Sequence, residues 1–354
     1  MQPTIIVGSG RCGSTMMSDL INAHPNILSI SEFIIDVAEN CSNIPAAFPR
    51  EEIDGKDFWR RINVVNPEIL LMVRNDVIYP EMIYPYKSLT AKFSAKTGVP
   101  AILMTMLPHL TGDHDKLHGE LSVFIQSQHA APIRWHYENL FQWLMMRLHK
   151  TVWVERSGGS MLYLEELLML WPNAKYIHLV RDGMDTAYSM SNHAGYKLLL
   201  VIKLLLKEYL GVDPFRSDDR TNLERVPEDL KCFLPERFDR DAFLAFTSPI
   251  AQYAEVWLEQ LKKGFSQLGH LPKEQLLTVS YERFCQDAES QLRKIVEFIG
   301  VDCDPDWLKR TAARVHLSGG AWRNLPQQEQ EALLSNCRDG MKLLNDYVET
   351  GLVI

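Results

Sequence analysis

The sequence has no paired cysteine motif, no long apolar run and no excess of positive charge, and each absence excludes a class of protein. Its six cysteines lie apart without a C-x-x-C pair, which argues against a zinc site or a dense disulfide framework and favours a reducing cytoplasm. The net charge of -8 argues against a broad nucleic-acid surface and an anionic membrane face. The most apolar run, at 198–206, is interrupted by Lys203 and is too short to span a bilayer. Because a short strand begins by residue 4, we also expect no signal peptide.

What remains is the composition of an ordinary globular α/β protein. Apolar residues make up 46% and charged residues 23% of the 354 residues, enough for a full core in one domain over 1–354. Strand-like and helix-like segments alternate, which predicts a central parallel sheet with helices on both faces. The segments at 69–73 and 101–105 fit either strands or buried helix turns. Residues 190–250 break the alternation, and we interpret them as a mainly helical insertion over the carboxyl edge of the sheet.

The first fifteen residues have the pattern of a phosphate-binding loop. An apolar run is followed by a loop with three glycines and then by an amphipathic segment: 4–7, Gly8, Gly10, Gly13, 16–21. A buried strand, a glycine-rich loop and a helix amino terminus form an anion cradle, because free N–H groups point at the bound group. The pattern is close to a Walker A motif, but Ser14 stands where its lysine would contact a triphosphate. The stretch therefore predicts a P-loop-like, three-layer fold in which Arg11 is the cation of the loop.

Further polar residues follow other predicted strands. Glu155 and Arg156 come after the strand at 151–154, and Arg181 comes after the strand at 175–180. Ser189 lies eight residues beyond Arg181, two turns along a predicted helix, so both side chains can face one phosphate. The carboxyl ends of parallel strands meet at one edge of a sheet, where such folds bind ligands. The sequence therefore predicts a phosphate-binding site at that edge.

These segments, with Gly320-Ala321-Trp322-Arg323-Asn324, resemble the sulfotransferases that use 3′-phosphoadenosine 5′-phosphosulfate (PAPS). The likeness runs from about residue 3 to residue 325. It is strongest in three stretches: 4–33, 151–192 and 276–300. In that family the first loop holds the 5′-phosphosulfate, and an Arg and a Ser spaced like Arg181 and Ser189 bind the ribose 3′-phosphate.

The resemblance implies a set of residues for PAPS and its product PAP (adenosine 3′,5′-bisphosphate). Cys12 departs from the usual Ser of the loop, although its backbone N–H still serves. The Arg-Lys-Gly of many relatives is replaced by Val315-His316-Leu317, so Arg314 and His316 are the residues assigned to part of the 3′-phosphate clamp. The donor-binding residues implied are Gly10, Arg11, Cys12, Gly13, Ser14, Thr15, Arg181, Ser189, Tyr281, Arg314, Trp322 and Arg323.

The family mechanism is an in-line displacement in which charge develops on the sulfuryl oxygens and the leaving phosphate. The resemblance implies Arg11 and Arg156 as the cations at the sulfuryl end, and no metal. Relatives that act on sugars use a Glu shortly after the second strand, which here is Glu32. His129 and His136 are the alternative general bases, from the branch of the family that uses His.

The resemblance implies a cytoplasmic, bacterial-type enzyme of specialised metabolism that sulfates a hydroxyl or nitrogen of a small molecule. The rival functions are a P-loop nucleotide kinase or NTPase and a PAP-binding protein without catalysis. The sequence does not determine the oligomeric state, and a homodimer is one alternative. His109, His114 and His118 lie near Asp113 and Asp115, but no recognised ligand motif frames them, so we interpret the stretch as a polar loop.

Overall fold

The computed structural model describes residues 2–40 and 47–347 of the chain. Its described part contains one five-stranded parallel sheet in the order β2-β3-β1-β4-β5. The strands are β1 (Thr4–Gly8), β2 (Ile27–Ser31), β3 (Val152–Arg156), β4 (Lys175–Val180) and β5 (Leu276–Ser280). β1 is central and pairs on one side with β3 and on the other with β4. The end of β1 therefore lies between the ends of β3 and β4, which carry Arg156 and Val180.

Helices cover both faces of this sheet. Successive side chains of β1 point to opposite faces, so Ile5 and Val7 join one apolar cluster while Ile6 joins another. The first cluster includes helix Ile133–Arg147, and the second includes helix Ala288–Ile299. Because both faces are buried, the strands are nearly continuous apolar runs, as expected for a parallel sheet. The predicted α/β fold is confirmed.

The remaining elements are helical. The α-helices in the described residues are Ser14–Asn22, Phe33–Asn40, Gly55–Ile62, Pro67–Arg74, Ala101–Met104, Met106–Leu110, His114–Gln126, Ile133–Arg147, Leu164–Leu170, Gly183–Ser191, Ala194–Leu198, Lys207–Leu210, Glu228–Lys231, Arg240–Ala245, Ile250–Leu268, Tyr281–Gln286, Ala288–Ile299, Pro305–Ala312 and Gln327–Tyr347. A π-helix covers Leu199–Leu206, and short 3₁₀ turns cover Ser160–Tyr163, Leu223–Arg225, Pro235–Arg237, Lys273–Gln275 and Ala321–Asn324.

The two apolar segments that the sequence left ambiguous are helical. Helix Pro67–Arg74 begins with proline at its first position, and the side chain of Asn66 accepts a hydrogen bond from the N–H of Ile69. A capping side chain followed by proline is a strong helix-start signal, because it satisfies a free N–H and presets the backbone. Ala101–Met104 is a single buried turn that follows Pro100.

The segment at 190–250 is helical where it is regular and has its own apolar cluster. That cluster joins Leu198 and Phe243 to Met72 and Val77 from outside the segment. The segment thus packs against the region that follows helix Pro67–Arg74. In the described part of the chain, no helix combines the length and apolar character needed to cross a membrane.

Candidate active site

The loop between β1 and helix Ser14–Asn22 turns through a left-handed glycine. Gly13 has a φ of 94° and directly precedes the helix, and no side chain in the described part of the chain caps that helix end. A Cβ at Gly13 would also lie 2.4 Å from Cδ2 of Tyr281, closer than any side chain permits. Glycine is therefore required here by both backbone conformation and space. The helix amino terminus is left with free N–H groups, as an anion site needs.

Arg11, Arg181 and Ser189 come together at this loop, although they are far apart in sequence. Arg181 Nη1 donates a hydrogen bond to the backbone oxygen of Arg11 at 3.1 Å. Arg11 Nε in turn donates to Ser189 Oγ at 3.3 Å. The strand order explains this meeting, because β4 is the immediate neighbour of β1. Two cations and a hydroxyl group thus face one region at the carboxyl edge of the sheet.

Tyr281 and the late segment close over Arg181. The Arg181 guanidinium lies 4.4 Å from the centre of the Tyr281 ring, and its Nη2 donates to the backbone oxygen of Ser318 at 2.7 Å. The hydroxyl groups of Tyr281 and Ser318 are 2.8 Å apart. The stacking and these hydrogen bonds hold the guanidinium in place, and its buried Nε has no hydrogen-bond partner within the described residues.

The other late residues lie in different surroundings. Trp322 is buried in the apolar cluster that includes Val180 and Ala187, and the Arg323 guanidinium stacks on its ring at 4.6 Å. Arg314 is exposed, in the turn after helix Pro305–Ala312. The structure thus brings Tyr281 to the loop, while it embeds Trp322 in the core and leaves Arg314 at the surface.

Arg156 lies at the end of β3 in a buried ion pair with Glu32. Its Nη1 donates to Glu32 Oε1, and its Nη2 donates to Ser31 Oγ at 2.8 Å. Glu32 Oε2 accepts from the N–H of Gly158 at 2.8 Å. Glu32 has a φ of 57°, a left-handed backbone that is rare outside glycine. Such local strain is typical of functional sites, and the carboxylate of this strained residue is the partner of Arg156.

Glu155 is buried beside this pair. Its Oε1 accepts from Ser157 Oγ at 2.5 Å and from the N–H of Ile34 at 3.3 Å. Burial raises the pKa of the Glu155 carboxyl to about 7, because the effect of desolvation outweighs these hydrogen bonds. The ion pair of Arg156 is with Glu32, so Glu32, rather than Glu155, orients that guanidinium.

A cavity of about 170 Å³ opens beside the loop. Its wall combines polar side chains near the loop with apolar side chains farther out. Five candidate residues from the sequence line it: Gly10, Arg11, Ser14, Thr15 and Glu32. The apolar part includes Ile35, Ile69, Met104, Leu162, Leu198 and Leu199. The cavity therefore joins the loop to a space that can accept an apolar molecule.

Glu81 is a central residue of this cavity that the sequence did not reveal. Its Oε1 accepts from Arg11 Nη1 at 2.8 Å and from Thr15 Oγ1 at 3.2 Å. Its Oε2 lies 3.0 Å from Nε2 of His193. Burial alone would raise the pKa of Glu81, but the hydrogen bond with His193 and the charge of Arg11 prevail and lower the pKa to about 2. The only sequence signal was its place in an aromatic, proline-rich stretch at 79–86.

Tyr196 and Gln260 cover the glycine side of the loop. The N–H of Gly10 donates to Gln260 Oε1 at 2.9 Å. A Cβ at Gly10 would lie 1.3 Å from the Tyr196 hydroxyl oxygen, so any side chain at this position would displace the tyrosine. Both covering residues line the cavity.

The alternative histidines lie outside the cavity wall. His136 is buried, with Nε2 2.6 Å from the backbone oxygen of Ile53, and burial lowers its pKa. His129 is exposed, and its ring packs against the ring of Trp135.

The histidines at 109–118 do not form a metal site with their described neighbours. His118 pairs with the side chain of Asn63 at 2.7 Å. Within 2–40 and 47–347, no three His, Cys, Asp or Glu side chains are grouped so as to hold a metal ion.

Two family models match the chain. The first, described as the sulfotransferase family, matches residues 3–198, which is more than half of the chain. The second, described as a sulfotransferase domain, matches residues 161–340. Both models include the segment that carries Arg181 and Ser189.

The solved structures that resemble this chain are distant. The chain is similar to the sulfotransferase domain of the Synechococcus PCC 7002 olefin synthase at 16% identity, covering 96% of this chain and 94% of that one, with a TM-score of 0.47. It is similar to the sulfotransferase domain from the curacin biosynthetic pathway at 14% identity, covering 95% and 97%, with a TM-score of 0.47. It is also similar to sulfotransferase STF9 from Mycobacterium avium at 14% identity, covering 96% and 76%, with a TM-score of 0.42. No curated protein sequence matches the chain.

Proposed function

Because the chain belongs to the sulfotransferase family, we propose that it transfers a sulfuryl group from PAPS to a small molecule and releases PAP. The observation that carries this proposal is the meeting of the two phosphate-binding segments. Arg181 donates to the backbone oxygen of Arg11 at 3.1 Å, and Arg11 donates to Ser189 at 3.3 Å. One ligand with phosphate groups at both ends, such as PAP, fits that arrangement better than a triphosphate does.

The donor would lie between the loop and the stack of Arg181 on Tyr281. The loop from Gly10 to Thr15, with the free N–H groups of the following helix, would hold the 5′-phosphosulfate. Arg181, Ser189 and Tyr281 would hold the ribose 3′-phosphate. Arg314, Trp322 and Arg323 stay predictions for the same end, supported by the family motif more than by their present contacts.

The chain's own residues would promote the transfer by electrostatics. Arg11 and Arg156 would stabilise the charge that develops on the sulfuryl oxygens and the leaving phosphate, since fixed cations in a dry site need no reorganisation. Glu32 supports this role of Arg156 by holding its guanidinium in a buried ion pair. A charge-neutralising metal is unnecessary in this scheme.

The transfer also needs a group that takes the proton of the acceptor. Glu32 lines the cavity and is the base that the sequence predicts, although both of its oxygens already accept hydrogen bonds. Either role of Glu32, as base or as the residue that holds Arg156, makes Glu32→Gln lose most of the transfer rate while PAP still binds; a positioned base contributes about 10²–10⁴-fold. Near-normal turnover of Glu32→Gln in a PAPS-dependent assay would remove Glu32 from the mechanism.

The acceptor would be a small molecule with an apolar part. The cavity of about 170 Å³ has an apolar wall built partly by Leu198 and Leu199, which supports a role for 190–250 as a cover over the site. The hydroxyl or nitrogen of the acceptor would point at the loop. We place this activity, as part of the proposal, in the cytoplasm and in the biosynthesis of a specialised metabolite.

Two measurements test the proposed function. Calorimetric titration with PAP and with ATP plus Mg²⁺ should show binding of PAP and weak or no binding of ATP, whereas a preference for ATP would support a nucleotide kinase and overturn the proposal. A PAPS-dependent screen of candidate acceptors, with mass detection of an added sulfo group, should then reveal transfer. PAP binding without transfer to any acceptor would indicate a non-catalytic PAP-binding protein.

A further inference from the structure

The cavity contains a histidine–carboxylate pair outside the motifs that the sequence identifies. His193 immediately precedes helix Ala194–Leu198, and its Nε2 lies 3.0 Å from Glu81 Oε2. Both side chains are about nine-tenths buried, with exposed fractions of 10% and 11%. Both residues line the same cavity as Arg11 and Glu32. The pair therefore lies where an acceptor molecule would be held.

The hydrogen-bond pattern determines which ring nitrogen of His193 carries the proton. Glu81 has a pKa lowered to about 2 and is a carboxylate at neutral pH, which can only accept hydrogen bonds. Nε2 of a neutral His193 must then be the protonated nitrogen, and Nδ1 has the free lone pair. Nδ1 is buried and has no hydrogen-bond partner within the described residues. A histidine oriented by a carboxylate, with its other nitrogen free, has the arrangement of a general base.

Gly195 lies beside that nitrogen. A Cβ on Gly195 would lie 3.1 Å from Nδ1 and 3.1 Å from Cε1 of His193, so a side chain there would crowd the free lone pair. Gly195 also lines the cavity. Glycine at position 195 therefore avoids the contact with Nδ1 that a larger residue would make.

We propose that His193 is the general base that takes the proton from the acceptor, and that Glu81 is the positioning residue that holds its ring. This inference rests on the proposed function. As the acceptor oxygen or nitrogen bonds to sulfur, the bond between sulfur and the bridging oxygen breaks, and its electron pair stays on the 5′-phosphate of PAP. The acceptor's proton moves to Nδ1 of His193. Glu32 then serves to hold Arg156 and is not the proton acceptor.

Glu81 also connects this base to the donor site. Its other oxygen accepts from Arg11 and Thr15, the residues proposed for the sulfuryl end of PAPS. In this structure Glu81 thus forms an ion pair with Arg11, the cation that the donor needs. Removing its charge should free Arg11 for PAPS while it leaves His193 without its partner. Glu81→Gln should therefore lower both kcat and the KM for PAPS, a combination that simple loss of packing does not produce.

The test compares two acceptors of similar size, 4-nitrophenol and 4-nitrobenzyl alcohol. The phenol ionises without help near neutral pH, whereas the alcohol needs a base. His193→Gln keeps a donor for Glu81 but cannot accept the proton, so transfer to the alcohol should fall about 10²–10⁴-fold and transfer to the phenol less than about tenfold. Glu32→Gln should lose rate equally with both acceptors. His270→Gln, the same change at an exposed histidine outside the cavity, is the matched control.

A second measurement needs no acceptor. Calorimetric titration with PAPS should show tighter binding to Glu81→Gln than to the unsubstituted protein, by about tenfold, the effect of one charge-assisted hydrogen bond. Unchanged or weaker PAPS binding to Glu81→Gln, or equal loss of both acceptors in His193→Gln, overturns this inference alone. Failure of the unsubstituted protein to bind PAP or PAPS overturns the proposed function itself.

Discussion

Replacing Glu155 with Gln should change how the stability of the protein depends on pH. Glu155 is fully buried at the end of β3, and Oε1 accepts the hydrogen bonds from Ser157 and Ile34. Oε2 is buried and has no hydrogen-bond partner among residues 2–40 and 47–347. Glutamine keeps the shape and the accepting oxygen, so the substitution removes the titration while it preserves the packing.

The size of the effect follows from the pKa of Glu155. Burial raises that pKa from 4.5 to about 7, and each pH unit of difference between folded and unfolded chain corresponds to about 1.4 kcal/mol. The folded protein retains the proton that the unfolded chain releases, so its stability falls as pH rises from about 4.5 to 7 and is level above that. The loss amounts to about 3 kcal/mol for this one group.

The assay is urea unfolding of both proteins at several pH values between 5 and 8.5. All other groups titrate alike in the two proteins, so the difference between their unfolding free energies isolates Glu155. That difference should shift in favour of Glu155→Gln by up to about 3 kcal/mol as pH rises. Glu165→Gln, at an exposed position, controls for the same chemical change at the surface. A difference that stays constant across this pH range would refute the reasoning.

Three further substitutions test the loop and its partners. Arg181→Ala should weaken PAP binding about 10–100-fold in calorimetry, because a charged hydrogen-bond donor to the 3′-phosphate is lost; unchanged affinity would exclude that role. Gly10→Ala should weaken PAP binding at least about tenfold, since its Cβ would lie 1.3 Å from the Tyr196 hydroxyl, whereas Gly112→Ala, with open space around its Cβ, should bind PAP normally. Burial raises the pKa of the Cys12 thiol, so Cys12→Ser should keep transfer activity within about threefold; a much larger loss would assign the thiol a chemical role.

The sequence predicts well those features that are determined within a short stretch of chain. The β1–loop–helix unit is an example, because an apolar run, a glycine at a left-handed position and an amphipathic segment each act locally. The meeting of Arg181 and Ser189 with the loop also follows, since strand ends in a parallel sheet share one edge. The apolar run at 69–73 is ambiguous by itself, because runs of that length suit strands and helices equally, and the start signal at Asn66 and Pro67 decides for a helix.

The residues that the sequence does not reveal depend on long-range packing. Glu81 reaches Arg11 across 70 residues and His193 across 112 residues, and nothing near Glu81 in the sequence marks it as a partner of either. Trp322 shows a limit of prediction from a sequence motif. Its motif predicts a place near the donor, which stays a prediction, but the motif does not determine that the large apolar ring packs in the cluster that includes Val180 and Ala187.

The two arginines proposed at the sulfuryl end differ in how firmly they are held, and this difference suggests their separate tasks. Arg156 is 1% exposed and its partner Glu32 is anchored by the N–H of Gly158. Separating that pair would leave a buried charge unpaired at a cost of about 3–5 kcal/mol. Arg11 is 25% exposed at its side chain, and its partner Glu81 has His193 as a second cation-capable contact. Arg11 can therefore leave Glu81 and pair with the donor, whereas Arg156 cannot leave Glu32 without a large loss of stability. Arg156 is thus a fixed charge, and Arg11 is the cation that changes partners when the donor binds.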